Sequence, residues 1–94
     1  MPYWVYILRC ADDTLYTGIA TDVDRRFRAH AGGRGAKYTR THGAVEIVYR
    51  ACCGEKGDAL RREAAIKKLT RAEKLALIAA DISNSGTKEG GILP

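Results

Sequence analysis

The hydrophobic pattern predicts that the chain begins with a β-hairpin. Residues 3–9 form a nearly continuous apolar and aromatic run, which is too short for a helix core and rich in strand formers. The turn cluster Ala11-Asp12-Asp13 separates it from a second strand-like run at residues 14–20. Two such runs joined by a short turn are typical of a hairpin.

Alternation of side chains along the two strands gives the hairpin one face that carries two tyrosines. Tyr6 lies on one face of the first strand, whereas Val5 and Ile7 lie on the other. Tyr16 shares a face of the second strand with Gly18, and we expect it to pair with Tyr6 across the hairpin. Strand preference alone explains any single tyrosine, but two convergent hydroxyls indicate a polar site. Gly18 would leave space there for a ligand or another backbone.

A helical period replaces this alternation after the hairpin. Thr21 or Asp22 can cap a helix that is expected to end at Gly32-Gly33. Residues 32–43 are rich in glycine and basic side chains, follow no regular period and predict a loop. Residues 44–51 alternate well enough for a third strand.

Two further helices are predicted in the last third of the chain. Residues 58–69 have helical spacing, and Thr70 and Glu73 form a capping box that opens a helix running to residue 80. After Asp81 the composition turns to small and polar residues, so we expect residues 81–94 to be a disordered tail.

The resulting order of elements, β-β-α-β-α-α, predicts an α+β fold. We expect a small three-stranded antiparallel β-sheet flanked by helices. A chain of 94 residues has room for one domain, which we place at residues 1–80. A domain of this size has a modest core, so a shallow surface site is expected rather than a deep cavity.

The charge of the chain indicates its class of partner, and its cysteine content indicates the cellular compartment. Sixteen basic and eleven acidic side chains give a formal net charge of +5, which favours a polyanion, nucleic acid before an anionic membrane. Three cysteines without Cys-x-x-Cys spacing indicate free thiols in a reducing cytosol. The sequence has neither an apolar run long enough to span a membrane nor the layout of a signal peptide. We therefore expect a soluble, cytoplasmic protein with no membrane partner.

The first predicted helix carries Arg26 and His30 on one stripe, because they are four residues apart. The planar fork of an arginine suits a phosphate oxygen. A lone histidine is more often a surface or capping residue, but beside Arg26 a catalytic and a structural role are equally favoured. Arg25 and Arg28 also fit an ordinary solvated helix face, and Arg25 is counted as a candidate nucleic-acid contact.

Glu63 is the candidate acidic residue. On a helical wheel it lies between Leu60 and Ala64, close to the stripe expected to pack inward. A carboxylate there needs a cation as partner, and an arginine or a hard divalent metal ion would both serve. One carboxylate completed by waters and phosphate oxygens is an ordinary environment for Mg²⁺.

The basic loop is the candidate for tracking a nucleic-acid backbone. Lys37 and Arg40 could contact phosphates, and Tyr38 could stack on a base or hydrogen-bond a phosphate. A plain flexible surface loop is the alternative. From the residues alone, the chain is a small basic α+β domain that is expected to bind nucleic acid.

The spacing of five elements resembles that of the GIY-YIG endonuclease family. Val5-Tyr6-Ile7 and, ten residues on, Tyr16-Thr17-Gly18 are similar to the paired tripeptides of the family. Arg26, eight residues after the second tripeptide, resembles the family's helix arginine, and His30 follows at the interval seen in one branch. The segment at residues 59–63 resembles the one that bears the family's metal-binding glutamate.

Two more segments, residues 35–40 and 66–74, make the chain similar to the small, single-domain bacterial members of the UPF0213 type. The nuclease domain of the Slx-type enzymes is a near relation. The resemblance covers about residues 3–80. It departs at Val5, where the family name has Gly, and at Thr17, where it has Ile, and a strand accepts both replacements.

The resemblance implies a metal-dependent DNA endonuclease that hydrolyses a phosphodiester bond, in branched or single-stranded DNA during repair or recombination. Glu63 would hold Mg²⁺ or Mn²⁺, and Arg26 would bind a phosphate oxygen. Tyr6, assisted by His30, would take a proton from the attacking water. Tyr16 would orient water or phosphate.

Several points are left open by the sequence, among them which of Tyr6 and Tyr16 takes the proton from water. Ile19 stands where some relatives carry a lysine, so His30 or Arg26 would have to assist a tyrosinate. RNA in place of DNA, and a protein partner, are compatible with the same residues. The alternative function is a nucleic-acid-binding module with a nuclease fold and weak or partner-dependent cleavage.

Overall fold

The computed structural model describes residues 1–90 of the chain, and the side chains as far as Asp81. Within this range it contains β1 Tyr3–Cys10, β2 Leu15–Ala20, α1 Val23–Ala31, α2 Lys37–His42, β3 Ala44–Gly54, α3 Lys56–Lys67 and α4 Arg71–Gly90. The α+β class, the three-stranded antiparallel sheet and the order of the strands and longer helices are confirmed. The short helix α2 is an addition to the predicted elements.

Strand β1 is the centre of the sheet, which has the order β2-β1-β3 and is antiparallel throughout. Tyr6 pairs with Gly18, and Leu8 pairs with Tyr16. The two tyrosines are therefore diagonal neighbours, and the expectation that they pair directly was wrong. The connection at residues 11–14 sets this register, and a direct pair would require a connection two residues shorter.

Different helices cover the two faces of the sheet. One core cluster packs the sheet against α3 and α4, and it consists of Val5, Ile7, Tyr49, Ile66 and Ile78. The second packs the sheet against α1, and its buried members are Tyr6, Leu8 and Val23. The predicted alternation along β1 is thus confirmed, and Tyr6 lies on the face covered by α1.

Helix α1 begins after Asp22, whose carboxylate accepts a hydrogen bond from the Arg25 backbone N–H at 3.0 Å. Of the two candidate caps in the sequence, Thr21 and Asp22, the helix therefore uses Asp22. Val23 and His30 are the buried residues of α1, and the helix ends at Gly32. This arrangement brings His30 to the sheet face that carries Tyr6.

Helix α2 corrects the prediction of a loop between residues 32 and 43. It begins after Ala36 and ends at Gly43, whose φ of 74° is in the left-handed region. A helix of six residues is unstable alone. Its one buried residue, Thr39, donates a hydrogen bond from its hydroxyl to the Ala36 carbonyl at 2.9 Å. Tertiary contacts rather than an apolar stripe hold this helix, so periodicity could not reveal it.

Helix α3 turns a different stripe toward the sheet than expected. Its buried residues are Ala59 and Ile66, whereas Leu60 is 45% exposed and Ala64 is exposed. Glu63 lies one turn after Ala59 and one turn before Ile66, so its carboxylate belongs to the inward stripe. As expected, Glu63 lies near the buried side of α3. Its neighbours on that side are Ala59 and Ile66, and not the predicted Leu60 and Ala64.

Helix α4 opens with the predicted capping box. The Glu73 carboxylate accepts from the Thr70 N–H at 2.8 Å, and the Thr70 hydroxyl accepts from the Glu73 N–H at 3.1 Å. The tail expected at residues 81–94 stays a prediction, because α4 is described to Gly90 without side chains after Asp81, and residues 91–94 lie outside the described part. Among the described residues, no helix is long and apolar enough to cross a membrane.

Candidate active site

Gly18 makes room for the phenol of Tyr6. A Cβ atom at Gly18 would lie 2.6 Å from the Tyr6 hydroxyl oxygen and 3.2 Å from the Tyr16 ring. The prediction that this glycine leaves space for a ligand was therefore wrong, because the two tyrosine rings already fill that space. The glycine instead allows Tyr6 to be buried with only 1% of its surface exposed.

The hydroxyl of Tyr6 is hydrogen-bonded to His30. The distance from Tyr6 Oη to His30 Nε2 is 2.9 Å, and His30 is also only 1% exposed. The other ring nitrogen of His30, Nδ1, lies 2.7 Å from the hydroxyl oxygen of the buried Thr39. Sequence reasoning missed Thr39, because nothing in its local pattern shows that α2 folds back over His30.

Burial controls the protonation of this pair. Burial, with the nearby phenol of Tyr16, raises the pKa of Tyr6 to about 12, while Arg26 lowers it and the charge of Glu63 raises it. Burial, with the positive charge of Arg26, lowers the pKa of His30 below its ordinary value. At neutral pH the pair therefore consists of a protonated phenol and a neutral imidazole.

Arg26 is exposed one turn before His30 on α1, as predicted from their spacing. It forms no ion pair with any of the described side chains. An open cleft of about 480 Å³ is lined by Ile19, Ala20, Thr21, Asp22, Arg25, Arg26 and Ala29. Arg26 therefore joins the buried tyrosine to an accessible surface, and Arg25 lies at the same cleft.

Glu63 reaches the site from α3. Its side chain is 19% exposed, and its Oε2 atom lies 3.3 Å from the Lys67 ammonium. Although α3 packs on the opposite face of the sheet, the negative charge of Glu63 helps to raise the pKa of Tyr6, after the larger effects of burial and the Tyr16 phenol.

The donor set around Glu63 fits a metal ion only in part. Among the described residues there is no group of three or more His, Cys, Asp or Glu side chains that could hold a metal. A single carboxylate cannot form an all-protein cage, but it suits Mg²⁺, which keeps waters and shares substrate phosphates. The residues present therefore fit an ion bound jointly by Glu63 and a phosphate-bearing ligand.

A row of aromatic rings continues from the buried pair toward α2. The centroid of Tyr16 lies 5.2 Å from His30 and 5.7 Å from Tyr38. Tyr38 also stacks on His42 at 4.0 Å, and His42 pairs with Asp12 in the hairpin turn. His42 is a second residue that sequence reasoning missed, since its contacts depend on a helix that the pattern did not predict.

Direct contacts join Tyr6, Tyr16 and His30, while Arg26 and Glu63 are linked to Tyr6 through the effect of their charges on its pKa. Of the predicted nucleic-acid contacts, Tyr38 reaches this site through Tyr16, and Arg25 lies next to Arg26. Lys37 and Arg40 are exposed on α2, beside Tyr38. Their roles stay predictions.

Comparisons with known proteins give this arrangement a family. The family model described as the GIY-YIG catalytic domain matches residues 2–76. A UPF0213 protein of Cronobacter sakazakii is 41% identical over 92 residues, which covers 98% of this chain and 97% of the relative. The UPF0213 protein YhbQ of Escherichia coli is 45% identical over 78 residues, 83% of this chain and 78% of the relative.

A solved structure is similar as well. The solution NMR structure of a UPF0213 protein from Bacillus halodurans matches with a TM-score of 0.56 and 45% identity, covering 85% of each chain. The GIY-YIG domain is a nuclease domain, so DNA is the substrate class that the match indicates. The chain therefore belongs to the GIY-YIG family of nucleases, among its small UPF0213-type members.

Proposed function

We propose that this protein is a metal-dependent DNA endonuclease that hydrolyses a phosphodiester bond at the site built around Tyr6. The observation that carries the proposal is the 2.9 Å hydrogen bond between Tyr6 and His30, within electrostatic reach of Arg26 and Glu63. A proton acceptor, a cation that binds phosphate and a carboxylate that holds a metal ion are the parts that such a hydrolysis needs.

Tyr6 is the proposed general base. Its phenol can take a proton from the attacking water only when its own proton passes to His30. In the resting protein this proton stays on Tyr6, because the pKa of the phenol is raised to about 12 and that of the imidazole is lowered. When substrate is bound, the positive charge of Arg26 would favour the phenolate, and a cation held by Glu63 would add to this effect.

Arg26 is the proposed phosphate ligand, and Tyr16 the residue that orients water or phosphate. The guanidinium of Arg26 is exposed at the open cleft, so a phosphate oxygen can reach it and share its charge in the transition state. Tyr16 is half-buried between His30 and Tyr38, and from this position its hydroxyl can orient either water or phosphate.

Glu63 is the proposed ligand of Mg²⁺ or Mn²⁺. When bound, the ion would supply a Lewis acid for the scissile phosphate and the leaving 3′ oxygen. Lys67, the present ion-pair partner of Glu63, is 55% exposed, so its ammonium can turn to water when a cation takes its place. A single carboxylate binds such an ion weakly, so occupancy depends on phosphate oxygens of bound DNA.

The substrate is proposed to be branched or single-stranded DNA, handled during repair or recombination. The cleft beside Arg25 and Arg26 is open, and two further basic side chains, Lys37 and Arg40, are exposed on α2. Tyr38 already stacks on Tyr16 and His42, so its hydroxyl is more available to a phosphate than its ring is to a base.

The test is cleavage of labelled flap, fork, single-stranded and duplex DNA with Mg²⁺, Mn²⁺ or a chelator. Glu63→Gln and Arg26→Ala are each expected to lower cleavage by at least about 100-fold while DNA binding survives. Arg28→Ala, an exposed arginine on the same helix, is the matched control and should cut as the wild type does. Normal cleavage by Glu63→Gln would refute the scheme.

A binding module with weak or partner-dependent cleavage is the second candidate. It is favoured by one observation: in the resting protein Glu63 is paired with Lys67 and Tyr6 holds its proton firmly. Such a protein would show salt-sensitive DNA binding without any metal-dependent product in the same assay.

A further inference from the structure

The buried imidazole of His30 has a hydrogen-bond partner on each side. Tyr6 lies at Nε2 and Thr39 at Nδ1, with distances of 2.9 and 2.7 Å. All three side chains are only 1% exposed. The chain of contacts ends at the backbone of Ala36, because the Thr39 hydroxyl lies 2.9 Å from the Ala36 carbonyl oxygen.

Counting protons along this chain fixes the direction of each hydrogen bond. The Thr39 hydroxyl donates its single proton to the Ala36 carbonyl oxygen, which also accepts from the Arg40 backbone N–H at 3.1 Å. The Thr39 oxygen must then accept from His30, which puts the ring proton on Nδ1. A neutral imidazole carries one N–H, so Nε2 is left as an acceptor for the Tyr6 hydroxyl.

The opposite tautomer has weaker support. Two contacts indicate it: the Ala36 N–H donates to His30 Nδ1 at 3.4 Å, and the Arg40 N–H already satisfies the Ala36 carbonyl at 3.1 Å. The distance of 3.4 Å is well beyond the usual 2.9–3.0 Å for such a bond, whereas the contact of Nδ1 with Thr39 is short. The contact of Nδ1 with Thr39 fits either direction of donation, so the assignment rests on the Thr39 hydroxyl donating to the Ala36 carbonyl.

We propose that Thr39 is a positioning residue that holds His30 in the Nδ1–H tautomer, so that Nε2 can receive the proton of Tyr6. The inference rests on the proposed function for its catalytic meaning, although the tautomer can be observed without any cleavage. Thr39 contacts neither water nor phosphate in this role, and it acts only through His30.

The tautomer of His30 decides whether Tyr6 can pass its proton to Nε2. With Nε2 free, the Tyr6 O–H bond breaks as the His30 Nε2–H bond forms, and the Tyr6 oxygen takes a proton from the attacking water. The water oxygen bonds to phosphorus, and the bond to the 3′ oxygen breaks as solvent supplies its proton. With the proton on Nε2 instead, His30 could donate to Tyr6 but could not accept from it.

The chain is shaped to hold this contact. A Cβ atom at Gly35 would collide with the His30 ring, so only glycine lets the segment before α2 pass against the imidazole. The groups that face the ring are Tyr6 from β1, Tyr16 from β2, Arg26 from α1 and Thr39 from α2. Among these, Thr39 is the one placed at Nδ1.

The direct test is the imidazole ¹⁵N spectrum of the free protein at neutral to mildly alkaline pH. The chain has two histidines, so a His42→Gln variant assigns the His30 signals. The wild type and Thr39→Ser, which keeps the hydroxyl, should show the Nδ1–H tautomer. Thr39→Val, which keeps the shape and removes the hydroxyl, should shift His30 toward Nε2–H or a mixture of both.

Cleavage is the second readout. Thr39→Val should lower kcat about 10–100-fold at unchanged KM, and Thr39→Ser should stay within about threefold of the wild type. A wild-type spectrum with the proton on Nε2 would overturn the proposal, and so would an unchanged tautomer in Thr39→Val. If Thr39→Val does not fold, Thr39→Ala, which also removes the hydroxyl, takes its place in the comparison with the wild type and Thr39→Ser.

The two proposals fail in different ways. Absence of cleavage by a wild-type protein with the expected tautomer would refute the proposed nuclease function and leave the tautomer assignment standing. Cleavage by a wild-type protein with the Nε2–H tautomer would refute the role of Thr39 and leave the nuclease function standing.

Discussion

At the scale of single residues, the proposed general base is a buried phenol. Tyr6 is buried against Gly18 and shares its hydroxyl proton with His30. Burial raises its pKa to about 12, so the base does not form in the free protein. A tyrosine with an ordinary pKa of about 10 would be easier to ionise but would be open to solvent. In the proposed mechanism, proton transfer from Tyr6 would therefore require cationic charge to arrive near its hydroxyl.

The raised pKa of Tyr6 makes a prediction about alkaline stability. A folded-state pKa of about 12 against about 10 in the unfolded chain means that Tyr6 stabilises the fold fully below pH 10, and that this part is lost as pH rises from 10 to 12. The difference in the free energy of unfolding between the wild type and Tyr6→Phe should therefore shrink over that interval. Urea titrations at a series of pH values measure it, and a difference independent of pH contradicts the burial of the phenol.

The close approach at Gly18 predicts a large effect of a single methyl group. Gly18→Ala forces Tyr6 or the strand to move, and it should destabilise the protein by about 1–3 kcal/mol. Gly57→Ala is the matched control: an added Cβ there meets only the Arg61 guanidinium at 3.6 Å, so the change stays within about 1 kcal/mol. Chemical denaturation compares the two variants, and equal effects would contradict the tight contact.

The residues of the site differ in how well the sequence predicts them. Tyr6, Tyr16 and Arg26 follow from spacing within one hairpin and one helix, where local geometry fixes which side chains converge. Glu63 follows from its place near the inward stripe of a predicted helix, but its role follows only from the resemblance, since its partners come from elements far apart in sequence. Thr39 could not be predicted, because its role depends on α2 folding back over α1.

At the scale of elements, α2 is the part that the rest of the fold must hold in place. Its six residues are too few for a stable isolated helix. Three contacts fix it: the buried Thr39, the stacking of Tyr38 on Tyr16, and the pairing of His42 with Asp12 in the hairpin turn. The hairpin turn therefore supports the helix that supports His30.

Weakening one of these contacts should increase local opening of α2 without a similar increase in the sheet. His42→Ala removes the stacking on Tyr38 and the pair with Asp12, and amide hydrogen exchange at residues 37–42 should become faster by about tenfold. Thr41→Ala, an exposed neighbour on the same helix, should leave that exchange nearly unchanged. Equal acceleration across α2 and β1 would show that α2 is not a separate unit.

At the scale of the whole molecule, the order of the elements was easier to predict than the strand register and the buried faces of the helices. The order of strands and longer helices followed from alternation, helical spacing and two capping signals, which are local properties. The register of the hairpin was missed because it depends on the length of the turn at residues 11–14. The stripe of α3 was missed because Leu60 is exposed, and residue type alone does not decide burial.

The net charge of +5 predicts that DNA binding weakens with salt. If Lys37 contacts a phosphate, Lys37→Ala should weaken binding about equally for all sequences and reduce the slope of log K against log salt by about 1. Fluorescence anisotropy at several salt concentrations measures the slope. A variant with the wild-type slope would place Lys37 outside the interface.

The position of Glu63 on α3, after all three strands, has a consequence for the order of assembly during synthesis. The chain leaves the ribosome N-terminus first, so the hairpin, α1 and α2 are available before α3 can dock. A nascent chain at that stage carries the phenol, the imidazole and the arginine, but lacks the carboxylate proposed to hold the metal ion. The ability to cut would then arise only when the fold is complete, and a nascent chain could bind DNA before it could cleave it.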